Sequence, residues 1–289
     1  MHPLTSKLFD AVVLHGGGGR VSVDLNVKVF KYLDESDVAG QANARIPDSN
    51  RYRQWEVAGT SHLDAQFSRS LAALGLRVSG MRPVEGSPAI NGPSISGGEK
   101  GNGAAGNGAG IENEGVNGGC AQPPFSRVAS YQVLNAAFDA THRWLVDGVA
   151  PPIAPPIEPK QLPASNLPPD AGRGRGGPAG PRWEIVRDEM GLARGGIRLA
   201  AVAVPIAKNT GDNVGSVGAA AGGGERNCRL MGSWEPFDNA RLIAMYPTKN
   251  DYVTRVKEVT EKNLKAGYIT KWDADATIRE AETSRIGKP

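Results

Sequence analysis

The sequence has few of the residues that build metal sites and disulfide frameworks. Its 289 residues include two cysteines and four histidines, the latter at positions 2, 15, 62 and 142. Two cysteines cannot form a framework of several disulfides or a four-thiolate zinc site, and no two histidines have the i, i+4 spacing of a helical metal site. We therefore expect neither a structural zinc ion nor any other metal or cofactor.

Charge of one sign and long apolar runs are also scarce. The formal net charge is +3, from 33 basic and 30 acidic residues, which is too small to indicate a polyanionic partner such as nucleic acid. The longest apolar stretches, such as residues 199–204, are far shorter than the roughly 20 residues that span a bilayer, and no export signal is visible at the N-terminus. We expect a soluble chain with no nucleic-acid or membrane partner. The sequence does not indicate its cellular compartment or its oligomeric state.

Glycine and proline, in contrast, are abundant. The chain has 38 glycines and 21 prolines, about a fifth of all residues against roughly 12% in average proteins, so regular structure cannot fill its whole length. Composition divides the chain into a sheet-forming part at residues 1–85, a low-complexity insertion at 86–119, a helix that packs on the sheet at 120–149, a Pro/Gly-rich linker at 150–181, and a hairpin with C-terminal helices at 182–289.

Three short β-rich runs lie in the first part, at residues 9–14, 27–33 and 52–58. Each ends in a turn that carries polar residues, which is typical of an α/β sheet with functional groups at the carboxyl ends of its strands. Glu35 and Asp37 follow the second run, and His62 follows the third. We therefore expect a carboxylate and an imidazole at the same edge of a parallel sheet.

A carboxylate that orients an imidazole, which in turn acts as a base, makes up two thirds of a nucleophilic triad. The order of acid before histidine fits the chain order of α/β-hydrolases. Spacing alone does not separate this interpretation from a solvated acidic loop next to a surface histidine.

The rest of the chain shows helical patterns and one possible hairpin. Residues 126–147 predict a helix whose apolar face repeats at spacings of three and four, through Tyr131, Leu134, Phe138, Thr141 and Leu145. Residues 183–186 and 197–204 are strand-like around a glycine turn and predict an antiparallel pair. Asp238, Thr248 and Asp273 are expected to open three C-terminal helices.

The run at residues 43–62, which ends Ala-Gly-Thr-Ser-His, closely resembles the block before the catalytic histidine in a family of alpha/beta hydrolase domain-containing proteins. Further blocks, in the right order, resemble the C-terminal half of that family: residues 120–128, 131–152, 186–198 and 228–237. The resemblance covers nearly all of the chain outside the glycine-rich and proline-rich tracts. It implies a partial α/β-hydrolase fold, with a mostly parallel sheet, flanking helices and long Gly/Pro-rich loops.

By this resemblance His62 is the catalytic base and Asp37 its orienting acid, with Glu35 as a close second, and the reaction is hydrolysis of an ester or related acyl bond of a small molecule. The family's nucleophile is a serine in a sharp strand-to-helix turn of the Gly-x-Ser-x-Gly/Ser kind, and we find no such turn directly after a β-rich run: Ser61 and Ser216 both lack the pattern. We therefore expect the chain to begin after its nucleophile and to be inactive alone. The alternative is a non-catalytic remnant or binding module.

Two smaller features complete the sequence-based expectations. His15, followed by four glycines, is similar to the oxyanion-hole motif of lipases, but without a nucleophile turn after it we interpret the segment as a glycine-rich turn at a strand end. Cys120 and Cys228 each lead a block that resembles the family, and each follows a glycine-rich tract that needs anchoring. We predict that these two cysteines approach each other.

Overall fold

The computed structural model describes residues 9–17, 19–22, 24, 26–70, 120–163, 183–215 and 228–287. The low-complexity insertion expected at residues 86–119 lies outside these ranges, as do Ser216 and residues 164–181 of the expected linker. Among the described residues, no helix is long and apolar enough to cross a membrane.

The centre of the fold is a parallel sheet of three strands in the order β1-β2-β3. The strands are β1 (Ala11–His15), β2 (Lys28–Asp34) and β3 (Tyr52–Val57), and each begins within two residues of the predicted run. Nearly every side chain of β2 is buried, because it lies between two neighbours and is covered on both faces. The prediction of a mostly parallel α/β sheet is therefore confirmed.

The predicted hairpin of residues 183–186 with 197–204 is wrong. Strand β5 (Trp183–Ile185) instead pairs antiparallel with β4 (Pro159–Gln161), which lies in the segment expected to be a linker. Ile197 forms a single parallel bridge to Val57 at the end of β3, and residues Ala200–Ala203 form a short helix, α3. Gly195 and Gly196, just before Ile197, both have positive φ, which favours glycine. They also pass close to residues 156 and 157, because an added Cβ would lie 2.2–2.5 Å from atoms of those residues.

Helix α1 (Glu35–Gln41) follows β2 directly, and helix α2 (Ser130–Val146) packs on the sheet as predicted. The predicted apolar face of α2 is wrong, however, since Phe138 is 58% and Leu145 39% exposed. Three of the five buried apolar residues are alanine, so the buried face is built largely from small side chains. Its buried apolar residues are Val133, Ala136, Ala137, Ala140 and Trp144.

Three helices form the C-terminal part: α4 (Asn239–Met245), α5 (Lys249–Lys265) and α6 (Lys271–Thr283). The caps predicted for the first two are confirmed, because the side chains of Asp238 and Thr248 each accept a hydrogen bond from the backbone of the first turn. The third helix is capped by Thr270 rather than by Asp273, which lies within its first turn.

An antiparallel pair of strands, β6 (Ala207–Thr210) and β7 (Ser233–Pro236), precedes these helices in the chain. Near it, Cys120 and Cys228 form a disulfide with a Cα–Cα distance of 5.5 Å, which confirms the predicted approach of the two cysteines. The bond links residues 108 positions apart. It anchors the start of the segment that leads into α2 to the segment that leads into β7.

Candidate functional site

The candidate site lies at the carboxyl ends of the three parallel strands. His15 is the last residue of β1, Asp34 is the last residue of β2, and His62 follows β3 after a four-residue turn. Parallel strands end at the same edge of a sheet, so these side chains meet there. The ring centroids of the two histidines are 5.5 Å apart.

His62 lies next to Asp37, as the sequence predicted. Its Nδ1 atom is 3.7 Å from the Asp37 Oδ2 atom, which is too long for a hydrogen bond but close enough for ionic attraction. Interaction with this carboxylate raises the pKa of His62 above its ordinary value, against the opposite effect of burial. The backbone N–H of His62 donates to Ser36 Oγ at 2.9 Å, which ties the histidine loop to the start of α1.

Glu35 is engaged elsewhere. One of its carboxylate oxygens accepts from the backbone N–H of Gly59 at 2.6 Å, and the other accepts from Gly211 at 2.9 Å and pairs with Arg187 at 2.9 Å. The residue is 1% exposed, and burial raises its pKa while Arg187 and the two backbone donors lower it. The structure therefore brings Asp37, and not Glu35, to His62.

His15 is the residue that sequence reasoning missed. Its Nε2 atom is 2.8 Å from Asp34 Oδ2, and this hydrogen bond raises the pKa of His15. Asp34 is 1% exposed, whereas the side chain of His15 is 41% exposed and that of His62 is 37% exposed. The signal was the same as for His62, because His15 also ends a β-rich run at the functional edge of the sheet.

Gly16 explains why the turn after β1 begins with glycine. Its φ of +79° lies in the left-handed region, and an added Cβ would lie 2.5 Å from the Cε1 and Nδ1 atoms of His62 and 3.2 Å from Asp37 Oδ2. A side chain at this position would therefore be strained and would displace the imidazole. The glycine-rich turn expected from the sequence therefore leaves room for the His62 ring and the Asp37 carboxylate.

The described serines do not complete a triad. Ser61 is buried, and its hydroxyl donates to the carbonyl of Leu63 at 3.3 Å, while Ser36 Oγ faces the backbone of His62. The Nδ1 atom of His62 has no hydrogen-bond partner in the part of the chain that the structure describes. Ser216 lies outside that part. No described serine is therefore hydrogen-bonded to the imidazole.

Comparison with known proteins adds the family. The model of a family described as "Alpha/beta hydrolase domain" matches residues 1–279. This chain belongs to the alpha/beta hydrolase domain family. No curated protein and no solved structure matches it. For an alpha/beta hydrolase domain, a parallel sheet with polar groups at its carboxyl edge is the expected location of a site, and the Asp37–His62 pair lies at that edge.

Proposed function

We propose that His62 and Asp37 are the general base and the orienting acid for hydrolysis of an ester or related acyl bond in a small molecule. The observation that carries the proposal is a partly exposed imidazole whose Nδ1 atom faces Asp37 at 3.7 Å, at the carboxyl edge of the parallel sheet. Membership in the alpha/beta hydrolase domain family supports this class of reaction.

The orientation of the ring suits the role. In a nucleophilic triad the carboxylate faces Nδ1 and leaves Nε2 to take the proton of the nucleophile and return it to the leaving group. Asp37 would hold the tautomer and stabilise the imidazolium that forms. A distance of 3.7 Å is longer than a working hydrogen bond, but such contacts often tighten only when substrate is bound.

The nucleophile and the oxyanion donors are proposed to come from outside the described residues, because no described serine is hydrogen-bonded to His62. Because no serine directly after a β-rich run lies in a Gly-x-Ser-x-Gly/Ser turn, we expect the 289-residue chain alone to give no hydrolysis of p-nitrophenyl acetate above buffer and no labelling by a serine-reactive fluorophosphonate. Clear hydrolysis that is lost in His62→Ala would contradict this expectation, and Ser94, in the Gly-x-Ser-x-Ser sequence of residues 92–96, and Ser216 would then be the first serines to replace.

A positive test needs a complete triad. A version extended by the upstream coding sequence, provided that this encodes a strand ending in Gly-x-Ser-x-Gly/Ser, should hydrolyse the ester. His62→Ala should abolish that activity, and Asp37→Asn should lower kcat by several powers of ten, on the order of 10⁴ in a well-formed triad. His142→Ala, which changes an exposed histidine on α2, is the matched control.

The second candidate is a non-catalytic binding module that keeps the hydrolase scaffold. The length of the contact between His62 and Asp37 favours it, as does the unpartnered Nδ1 atom. An extended protein that folds and carries the serine turn, but shows neither ester hydrolysis nor fluorophosphonate labelling, would support this candidate over the enzyme.

A further inference from the structure

We infer that His15, Asp34 and His62 form a binding site for a divalent transition-metal ion of the Zn²⁺ class. This inference concerns metal binding and does not depend on whether His62 acts as a base in hydrolysis. It is carried by the distances among the three side chains, by two buried atoms without partners, and by the chemistry of the ligand set.

The distances suit one shared ion. One ligand atom from each residue can be chosen so that all three lie within 4.8 Å of one another. The closest known pair is His15 Nε2 and Asp34 Oδ2, at 2.8 Å. Ligands held at about 2.0–2.2 Å from a tetrahedral zinc ion lie roughly 3.3–3.6 Å apart, so small side-chain rotations would bring all three atoms onto one ion.

Two atoms of this cluster lack hydrogen-bond partners among the described residues. Asp34 Oδ1 and His62 Nδ1 are both buried atoms without a partner. Asp34 as a whole is 1% exposed, and a buried carboxylate oxygen in a native protein normally has a protein, water or ion partner. Both orphaned atoms belong to the same three-residue cluster, so a cation that this cluster binds would supply a missing partner.

The ligand set selects the class of ion. Imidazole nitrogen favours zinc, copper, nickel and iron, whereas magnesium and calcium favour sets made of oxygen atoms alone. Two histidines with one carboxylate are three protein ligands, the number that leaves a coordination position open on zinc. The exposed fractions of the His15 and His62 side chains, 41% and 37%, leave a path from solvent to the site.

The negative charge nearby favours a dication. Asp37 contributes a second carboxylate, with its Oδ2 atom 3.7 Å from His62 Nδ1. Its side chain is 9% exposed, so its charge is screened by water less than that of a surface acid. Asp34 and Asp37 together therefore carry the charge that a divalent ion would neutralise.

The test is a zinc titration of the whole 289-residue chain, freed of metal with EDTA, dialysed, and carrying no histidine tag. Isothermal titration calorimetry should show one equivalent of bound Zn²⁺, and Co²⁺ should give the visible absorption bands of a low-coordinate nitrogen and oxygen site. His15→Ala should weaken Zn²⁺ binding about tenfold or more. His142→Ala should leave binding unchanged.

His15 is partly exposed, so its replacement is expected to fold, and circular dichroism checks this. Failure to bind Zn²⁺ at 100 μM would overturn the inference, as would binding that His15→Ala leaves unchanged. Because the readout is metal binding, a failed esterase experiment leaves this result intact, and a failed titration leaves the proposed hydrolysis intact.

Discussion

Replacing Glu35 with alanine tests whether this buried carboxylate is a structural residue or a partner of His62. The side chain pairs with Arg187 and accepts backbone hydrogen bonds from Gly59 and Gly211. Its removal leaves a mostly buried guanidinium and two backbone donors without their acceptor. Breaking a buried ion pair by removing one partner costs about 3–5 kcal/mol. Arg187 keeps a contact with Asp212 at 3.0 Å, so we expect a loss nearer about 3 kcal/mol.

Asp37→Asn should behave in the opposite way. The asparagine can still accept the hydrogen bond that Asp37 takes from the backbone of Asp34, so the cap of α1 survives. The pKa of His62 is raised in the folded protein by Asp37. The pair therefore stabilises the fold at pH values below the unfolded pKa of histidine, and this contribution disappears as the pH rises through the folded pKa. Asp37→Asn should cost up to about 1 kcal/mol near pH 5 and almost nothing near pH 8.

Two measurements separate the residues. Urea unfolding gives the free-energy change of each variant, and the NMR titration of the His62 ring, in EDTA to keep the site metal-free, gives its pKa. Glu35→Ala should lower stability and leave the pKa of His62 unchanged, whereas Asp37→Asn should lower that pKa. Glu184→Ala, an exposed glutamate on β5, is the control and should change stability by less than about 0.5 kcal/mol.

The assignment is refuted if Glu35→Ala changes the free energy of unfolding by less than about 1 kcal/mol and also lowers the pKa of His62. Glu35 would then be the partner of the imidazole. Should Glu35→Ala fail to fold, Glu35→Gln keeps an acceptor for one backbone donor and allows the same two measurements.

Three further predictions concern the disulfide, the buried acid Glu280 and the glycine next to His62, Gly16. Reducing the bond between Cys120 and Cys228 should cost about 3–5 kcal/mol, since it links residues 108 positions apart, and calorimetry with and without dithiothreitol measures the loss. Burial raises the pKa of Glu280 to about 7, so this group makes the fold less stable as pH rises from about 4.5 to 7; Glu280→Gln should raise the melting temperature at pH 8 and not at pH 4.5. Gly16→Ala should cost at least about 1 kcal/mol and shift the His62 ring resonances, whereas Gly40→Ala, at a position with open space, should leave those resonances in place.

Local signals predicted the strands well and the packing of α2 poorly. The three runs that form the parallel sheet are β-rich and end at polar turns, and these are properties of a few adjacent residues. The face that a helix buries depends on what it packs against. Here the sheet accepts the alanine face of α2 and leaves Phe138 58% exposed, so size and hydrophobicity along the helix were a misleading guide.

The position of the site could be predicted from the sequence, but the choice of its acid could not, for a related reason. The rule that functional groups lie at the carboxyl ends of parallel strands located Asp37 and His62. It could not choose between Asp37 and Glu35, because the choice depends on Arg187 and Gly211, which lie more than 150 positions later in the chain. Glu35 lies only two residues from Asp37, but its carboxylate is bound by long-range contacts that no local sequence pattern reveals.

The same rule, applied to every strand, would have found His15. Motif searches for metal sites look for ligands at short spacings on one helix or loop, whereas here the proposed ligands lie at or just after the ends of three parallel strands, and their spacing is set by the crossovers. The resulting cluster shares His62 with the proposed acid–base pair. A neutral imidazole has one nitrogen lone pair, so a ring that binds a metal ion through that nitrogen cannot also accept a proton. The two proposed states of this edge therefore exclude each other, and any esterase measurement on an extended protein must be made both with and without EDTA to tell them apart.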